Sequence, residues 1–319
     1  MQSYDFIIAG GGGAGLSLAY ALVNSPLAGA SILIIEKDQK VQNDRTWCFW
    51  ADKPTRFDSI AYLVWDHIQF VGEGYEKIID LSPYQYRMIR GIDFYNFTQQ
   101  KLAEFSTVTL LYGNIDSVQD RDDFAIVEVD GISYQGKWVF DSAFRAVDLV
   151  LDPQRYHYLK QHFLGWEIET ALDVFDPKCA TMFDFRTPQK GDMRFMYILP
   201  FSPRRAMVEY TIFSAALLPQ NEYEEALRHY IEEVLGISVY RILEKEQNWI
   251  PMTDQLFGRR LGKHILSIGT KGGRVKPSTG YAFLRIQQDT TAIVDSLVRY
   301  GHPFYMKHDH NRYLFYDSI

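Results

Sequence analysis

The chain has 319 residues, 47% hydrophobic and 23% charged, with a formal net charge of −7. That length makes one large domain or two interlocked ones, and with no basic stretch suited to a phosphate backbone, nucleic acid is not expected as a partner. Two cysteines, Cys48 and Cys179, are too few for a disulfide framework or a cysteine-based zinc site and fit a reducing cytoplasm.

The 21 Tyr, 21 Phe and 6 Trp imply large flat apolar surfaces, in the core or around an apolar ligand. Asp5 stands where a signal peptide would carry positive charge, so no such peptide is expected. His308 and His310 form only a weak metal motif, and no metal centre is expected.

No charge interrupts Phe6 to Ile35, a length that could span a bilayer. Four consecutive glycines, "NSP" and several polar residues read instead as strand, loop, helix, turn and strand. The apolar strand Phe6 to Ala9 runs into Gly10-x-Gly12-x-x-Gly15, then a helix to about Val23 and the strand "ASILIIEKD". The first glycine permits the tight turn, the second lets a pyrophosphate approach the backbone, and the third lets helix and strand pack closely. The helix N-terminus then faces the phosphates. Gly10, Gly12, Gly13, Ala14 and Gly15 are the candidate cradle. Glu36, 21 residues past Gly15, is placed for ribose hydroxyls, with Lys37 beside it. The loop by itself does not separate FAD from NAD.

Further along, "WVFDSAFR" (138–145) reads as a strand entering a cofactor-side loop, with Asp141 and Ser142 as candidate contacts. "FMYILPF" (195–201) and "AMVEYTIF" (206–213) read as a hairpin across "SPRR". Met207, Glu209, Thr211 and Phe213 share one face of the second strand. From the strand alone, Glu209 is a solvated residue of a wet face. A helix follows, with Asn221 and Glu224 as a capping-box-like start, an apolar face of Tyr223, Ala226, Leu227, Tyr230, Ile231 and Val234, and Gly236 as its stop. "HILSIGTKGGRVKPSTGYAFLRI" (264–286) is a strand and a glycine-rich loop. A helix begins near Thr279, capped by Ser278 or Thr279, and runs to about Tyr300. A late strand–loop–helix of this kind, as in flavoproteins with two dinucleotide motifs, points to FAD. Gly269, Gly273, Ser278, Thr279 and Gly280 are its candidate contacts.

Together these pieces resemble the lycopene β-cyclase family in its bacterial form. The matching stretches are "GGGGAGLSLA" (10–19), "DRTWCFW" (44–50), "YRMIRGIDFY" (86–95), "FLGWEIET" (163–170), "ILPFSPRRAMVEYTIFS" (198–214) and "IGTKGGRVKPSTGYAF" (268–283). The resemblance implies a mixed α/β fold: a Rossmann-like FAD-binding domain of the two-dinucleotide-motif type with an inserted β-rich substrate domain. The expected boundaries are 1–59, 96–165 and 263–319 for the first and 60–95 and 166–262 for the second.

The resemblance also implies ring closure of the ψ ends of lycopene, with FAD in its reduced form, electrons from NAD(P)H and no net redox change. The family's catalytic carboxylate lies in a Glu-Glu-Thr or Glu-Asp-Thr type motif, matched here by Glu209-Tyr210-Thr211, so Glu209 is the expected acid and the second acidic position is a tyrosine. Trp47, Phe49, Trp50 and Trp166 are candidates to line the substrate pocket, Glu167 and Glu169 are the other acids to consider for a supporting role, and Arg45 is a candidate contact of the cofactor's ribose or phosphates. Family members run further past "RYLFYDSI", where C-terminal helices are expected. A bilayer-soluble substrate implies a cytoplasmic protein docked peripherally on the membrane surface. The rival readings are an FAD-dependent monooxygenase or prenyl reductase on the same fold, and a non-catalytic flavin- or carotenoid-binding protein.

Overall fold

The structure is a computed structural model that describes residues 1–306; His308 and His310 lie outside the described residues. The chain opens with β1 (Gln2–Ala9), α1 (Gly13–Val23) and β2 (Ile32–Glu36). Five short strands follow: β3 (Thr46–Ala51), β4 (Leu63–Trp65), β5 (His67–Gly72), β6 (Tyr75–Asp80) and β7 (Gln85–Arg90). Next come α2 (Gly91–Leu102), β8 (Val108–Tyr112), β9 (Ile115–Asp120), β10 (Ala125–Val129) and β11 (Ile132–Asp141). Long strands β12 (Tyr158–Thr170), β13 (Cys179–Asp184), β14 (Met193–Ser202) and β15 (Arg205–Ser214) lead to α3 (Gln220–His229) and β16 (Tyr240–Thr253). The described part closes with β17 (Ile265–Ser267) and α4 (Phe283–Tyr300).

Two compact units divide the chain. The first holds Met1–Asn43, Ile92–His157 and the described residues from Thr253 to 306; the second holds Asp44–Gly91 and Tyr158–Met252. These limits differ from the boundaries expected at 60–95 and 166–262, and strand pairing explains why. β3 pairs antiparallel with β7, from Thr46 opposite Arg90 to Ala51 opposite Gln85, so the segment before residue 60 goes with the second unit. β12 is one unbroken strand from Tyr158. Past Met252, Asp254 accepts the His157 amide at 2.7 Å and Gln255 accepts the Val150 amide at 2.7 Å, which ties that stretch to the first unit.

In the first unit the sheet order is β8-β2-β1-β11-β10-β9, with β17 also paired to β11. β1 runs parallel to both β2 and β11. Ile7, Ile8 and Ala9 are fully buried, the pattern of a central parallel strand covered on both faces. Gln287 on α4 donates to Ser17 on α1 at 2.8 Å.

In the second unit a seven-stranded sheet has the order β16-β12-β15-β14-β13-β5-β6, and β3-β7-β4 form a small separate sheet. α3 covers one face of the large sheet. Leu164, Trp166, Ile198, Val208, Tyr210 and Ile212 pack there against Tyr223, Leu227, Tyr230 and Ile231.

Two helix starts differ from the sequence reading. α3 is preceded by Pro219, with no side-chain cap, rather than by a box at Asn221; the Asn221 amide reaches Glu225 at 3.4 Å instead. Proline's fixed φ suits the position ahead of a first turn. Residues Tyr230–Val234 continue α3 as a wider π turn, and Gly236 ends it at φ 68°. α4 begins at Phe283, not near Thr279, because Gly280 has φ 71°, which no right-handed helix admits. Gly301 in the left-handed region closes α4 where the sequence placed its end.

Candidate active site

Glu209 lies near the middle of β15, paired with Gly165 on β12 and Tyr197 on β14. Directly opposed residues of antiparallel strands share a face. One face therefore carries Glu209 with Met207, Thr211, Phe213, Phe195 and Tyr197. The other carries Val208, Tyr210 and Ile212 into the α3 core. Tyr210 thus points away from Glu209, as alternation requires.

The Glu209 face is aromatic, not wet. Phe195 sits 5.0 Å from Phe183 and 5.1 Å from Tyr197 between ring centroids, and Phe183 stacks on Phe185 at 5.9 Å. Glu209, opposite Tyr197, keeps part of its surface exposed as a residue, while its carboxyl is desolvated. Burial, reinforced by the Glu246 carboxylate, pushes its pKa up to about 8, against a partial pull downward from the Thr211 hydroxyl that donates to Oε1 at 2.7 Å. The side chain is accordingly a carboxylic acid at neutral pH.

Glu246, on β16, is 7% exposed. Thr46 on β3 grips it twice, its amide donating to Oε1 at 3.0 Å and its hydroxyl to Oε2 at 2.7 Å. Burial also raises the pKa of Glu246. On the same face of β3 as Thr46 lies Cys48, whose thiol is pushed far up by burial and by both Glu209 and Glu246. Glu246 and Cys48 were not singled out as site residues in the sequence. Glu246 lies 37 residues past Glu209, and no motif in the sequence connects the two.

The aromatics expected around the acid are distributed differently. Trp166 is 1% exposed and pairs with Val208, so it faces the α3 core, opposite to Glu209. This corrects its placement in the pocket; a one-residue step along a strand turns a side chain to the other side. The three aromatics of β3 do not share a face either. Trp50 lies with Thr46 and Cys48, its ring 4.8 Å from Tyr86, while Trp47 and Phe49 lie on the reverse. Conversely, Phe195 and Tyr197, in phase with Glu209 across the hairpin, are aromatics that do share its face. Glu167 and Glu169 are on the Glu209 face, and each is ion-paired: Glu167 is buried against Arg205, and Glu169 meets Arg241 at 2.7 Å. Arg45 bonds Asp44 at 3.1 Å and approaches the Trp47 ring at 6.0 Å; it belongs to the second unit.

Within the first unit, the two glycine loops meet. A Cβ added at Gly269 would lie 2.7 Å from that of Ala14. A Cβ at Gly15 would lie 1.9 Å from the Gly10 carbonyl oxygen, so only glycine lets α1 start there. Nothing lies within 4 Å of a Cβ at Gly12, leaving open space in front of the α1 N-terminus. Ser142 pins the loop by donating to the Ala9 and Gly10 carbonyls, both at 3.0 Å.

Glu36 accepts the Lys37 and Asp38 amides at 3.0 and 3.2 Å through Oε1 alone, and Lys37 is exposed. Asp141 is 2% exposed and engaged by Lys271 at 2.6 Å, so any effect on a ligand passes through that lysine. Gly273 lies beside Phe257. Thr279 has a buried hydroxyl oxygen with no partner, while Gly280 closes the turn by donating to the Lys276 carbonyl at 2.9 Å. Open space at the α1 N-terminus, and an orphaned buried hydroxyl on the loop that meets it at Gly269, suit a dinucleotide such as FAD. Ser278, next to Thr279, belongs to the same loop.

No group of three or more His, Cys, Asp or Glu disposed to hold a metal occurs among the described residues, and no helix there is long and apolar enough to cross a membrane.

A family model described as lycopene cyclase protein matches residues 5–313. A chloroplastic lycopene beta cyclase of Arabidopsis thaliana is 27% identical over 328 residues, covering 94% of this chain and 61% of the relative. This chain thus spans less than two thirds of that relative's length. Among solved structures, a flavoprotein/dehydrogenase from Cytophaga hutchinsonii superposes with a TM-score of 0.70 at 14% identity, covering 98% of this chain and 83% of the other. A probable FAD-dependent monooxygenase from Pseudomonas aeruginosa superposes at 0.66 and 16% identity, covering 99% and 91%. At those identities the likeness is one of fold: the Rossmann-type flavoprotein architecture.

Proposed function

Because the chain belongs to the lycopene cyclase protein family, we propose that it closes the ψ end groups of lycopene, or of a closely similar acyclic carotene, into β-ionone rings, giving γ- or β-carotene with no net oxidation or reduction. The observation that carries this reading is Glu209, a carboxyl group whose pKa is raised by burial, on an aromatic strand face.

The chemistry needs one proton delivered and one removed. Glu209 gives its proton to C2 of the end group, which leaves a cation at C1. The C5=C6 bond attacks C1 and closes the six-membered ring. Loss of the C6 proton completes the β ring, so protons balance over the turnover. The rings around Glu209 exclude water, which would otherwise capture the cation, and the faces of Tyr197 and Trp50 offer it electron density. FAD in its reduced form, with electrons from NAD(P)H, supplies negative charge that stabilises the cation when bound. The residues that would hold it are Gly10, Gly12, Gly13, Ala14, Gly15, Glu36, Gly269, Thr279 and Gly280. Arg45, Lys37, Gly273 and Ser278 are weaker candidates for the same role, and Asp141 acts there through Lys271. A substrate dissolved in lipid requires the protein to dock on the membrane surface.

The test is pigment analysis of lycopene-accumulating bacteria that express the chain, beside Glu209→Gln. The expected result is cyclic carotene from the parent and a loss of about 10²–10⁴-fold in the variant, the usual worth of a general acid. Lycopene left unchanged by the parent, in protein that carries FAD, would overturn the cyclase reading and favour a binding protein; NAD(P)H consumed in step with product would favour a redox enzyme.

A further inference from the structure

Glu209 is not the only buried acid in its cluster. Glu246 comes from β16, two strands away across β12. Its neighbour Lys245 lies over the Trp166 ring at 5.4 Å, on the α3 side. Alternation therefore turns Glu246 to the face that carries Glu209. On the intervening strand the residue opposite Glu209 is Gly165, where an added Cβ would lie 3.5 Å from Glu209 Cβ and 2.8 Å from Met207 Sδ. The lane between the two acids thus has no side chain at that position. Glu246 is held by Thr46 and Glu209 by Thr211, and Arg45 is the cation whose charge reaches Glu246. A buried carboxylate held by two hydrogen bonds from one threonine is a costly arrangement to keep for packing alone.

We propose that Glu246, gripped by Thr46, is a positioning residue of this site: it keeps the transferable proton on Glu209. The inference rests on the reading of Glu209 as the acid. A charge on either acid makes the other harder to ionise, so their titrations are coupled. The hydrogen bonds decide which acid keeps its proton. Glu246 accepts two from Thr46, and Glu209 accepts one from Thr211. Of the surrounding groups, Arg45 favours the ionised form of Glu246 and Glu244 opposes it. Cys48 is a neutral thiol facing both acids, Tyr86 bonds it, and Tyr197 opposes Glu209 on β14. Glu167 and Arg205 on the same face neutralise each other. Glu246 therefore ionises first, and its charge holds the proton on Glu209.

The test is Glu246→Gln in the full chain with bound flavin. With the charge gone, the alkaline limb of the pH–activity profile moves to lower pH by about one unit. Thr46→Val, which makes Glu246 easier to protonate, moves it the same way by less. The infrared carboxyl band of Glu209, isolated by difference against Glu209→Gln, titrates at correspondingly lower pH and needs no turnover. An unmoved band, or an activity loss equal at every pH, overturns the proposal. If no variant or parent cyclises carotene, the cyclase reading fails, while the band still decides the role of Glu246.

Discussion

At the scale of the residue, Glu209 is governed by desolvation. Its ordinary pKa of 4.5 rises to about 8. A group that binds its proton more tightly in the folded state stabilises the fold most where both states are protonated, and that stabilisation is lost as pH rises through the folded value. For Glu209 the loss runs from about pH 4.5 to about pH 8. The parent is thus expected to lose melting temperature across this window relative to Glu209→Gln, whose amide never ionises. Glu246, raised in the same direction, is present in both proteins. Thermal melts at successive pH values read the difference, and parallel curves would refute the burial of this acid.

At the scale of the element, β15 works because its two faces differ. One seals against α3, and the other presents an acid among rings. α3 is held to the sheet by polar contacts as well as apolar ones. The buried Tyr230 hydroxyl donates to Asp184 at 2.6 Å, and Arg186 meets the same carboxylate at 2.5 Å. Tyr230→Phe removes one hydrogen bond to a charged acceptor and leaves Arg186 to neutralise it. The expected cost is about 1.5–3 kcal/mol, read by urea denaturation; an unchanged midpoint would mean that the hydroxyl contributes nothing. The apolar stripe of α3 was legible because it repeats at helical spacing. Its start was not, because Asn221 and Glu224 fit a capping pattern while Pro219 had already set the first turn. Likewise Thr279 reads as an N-cap until Gly280 adopts a left-handed conformation.

At the scale of the whole molecule, loops more than 250 residues apart in sequence come together at one helix N-terminus. Gly269→Val would place a side chain against Ala14 at a position with φ 61°. The expected result is protein purified without its yellow flavin absorbance, whereas Gly29→Ala, whose Cβ meets nothing within 4 Å, keeps it. Full flavin in Gly269→Val would remove the glycine return from the proposed cofactor site.

The sequence by itself determined whatever depends on near neighbours. The order of strand, glycine loop, helix and acid within residues 6–36 identifies a dinucleotide fold, because backbone approach and helix packing demand glycine at fixed spacing. Strand alternation alone separated Glu209 from Tyr210. The tertiary structure decided what depends on which surfaces meet. It turned Trp166 into the α3 core and split Trp47 and Phe49 from Trp50. It moved residues 44–59 into the second unit through the pairing of β3 with β7, and it placed Glu246 in the Glu209 cluster. Periodicity tells which residues share a face, but the charge state of a buried acid depends on what covers that face, and that is supplied by strands far away in the chain.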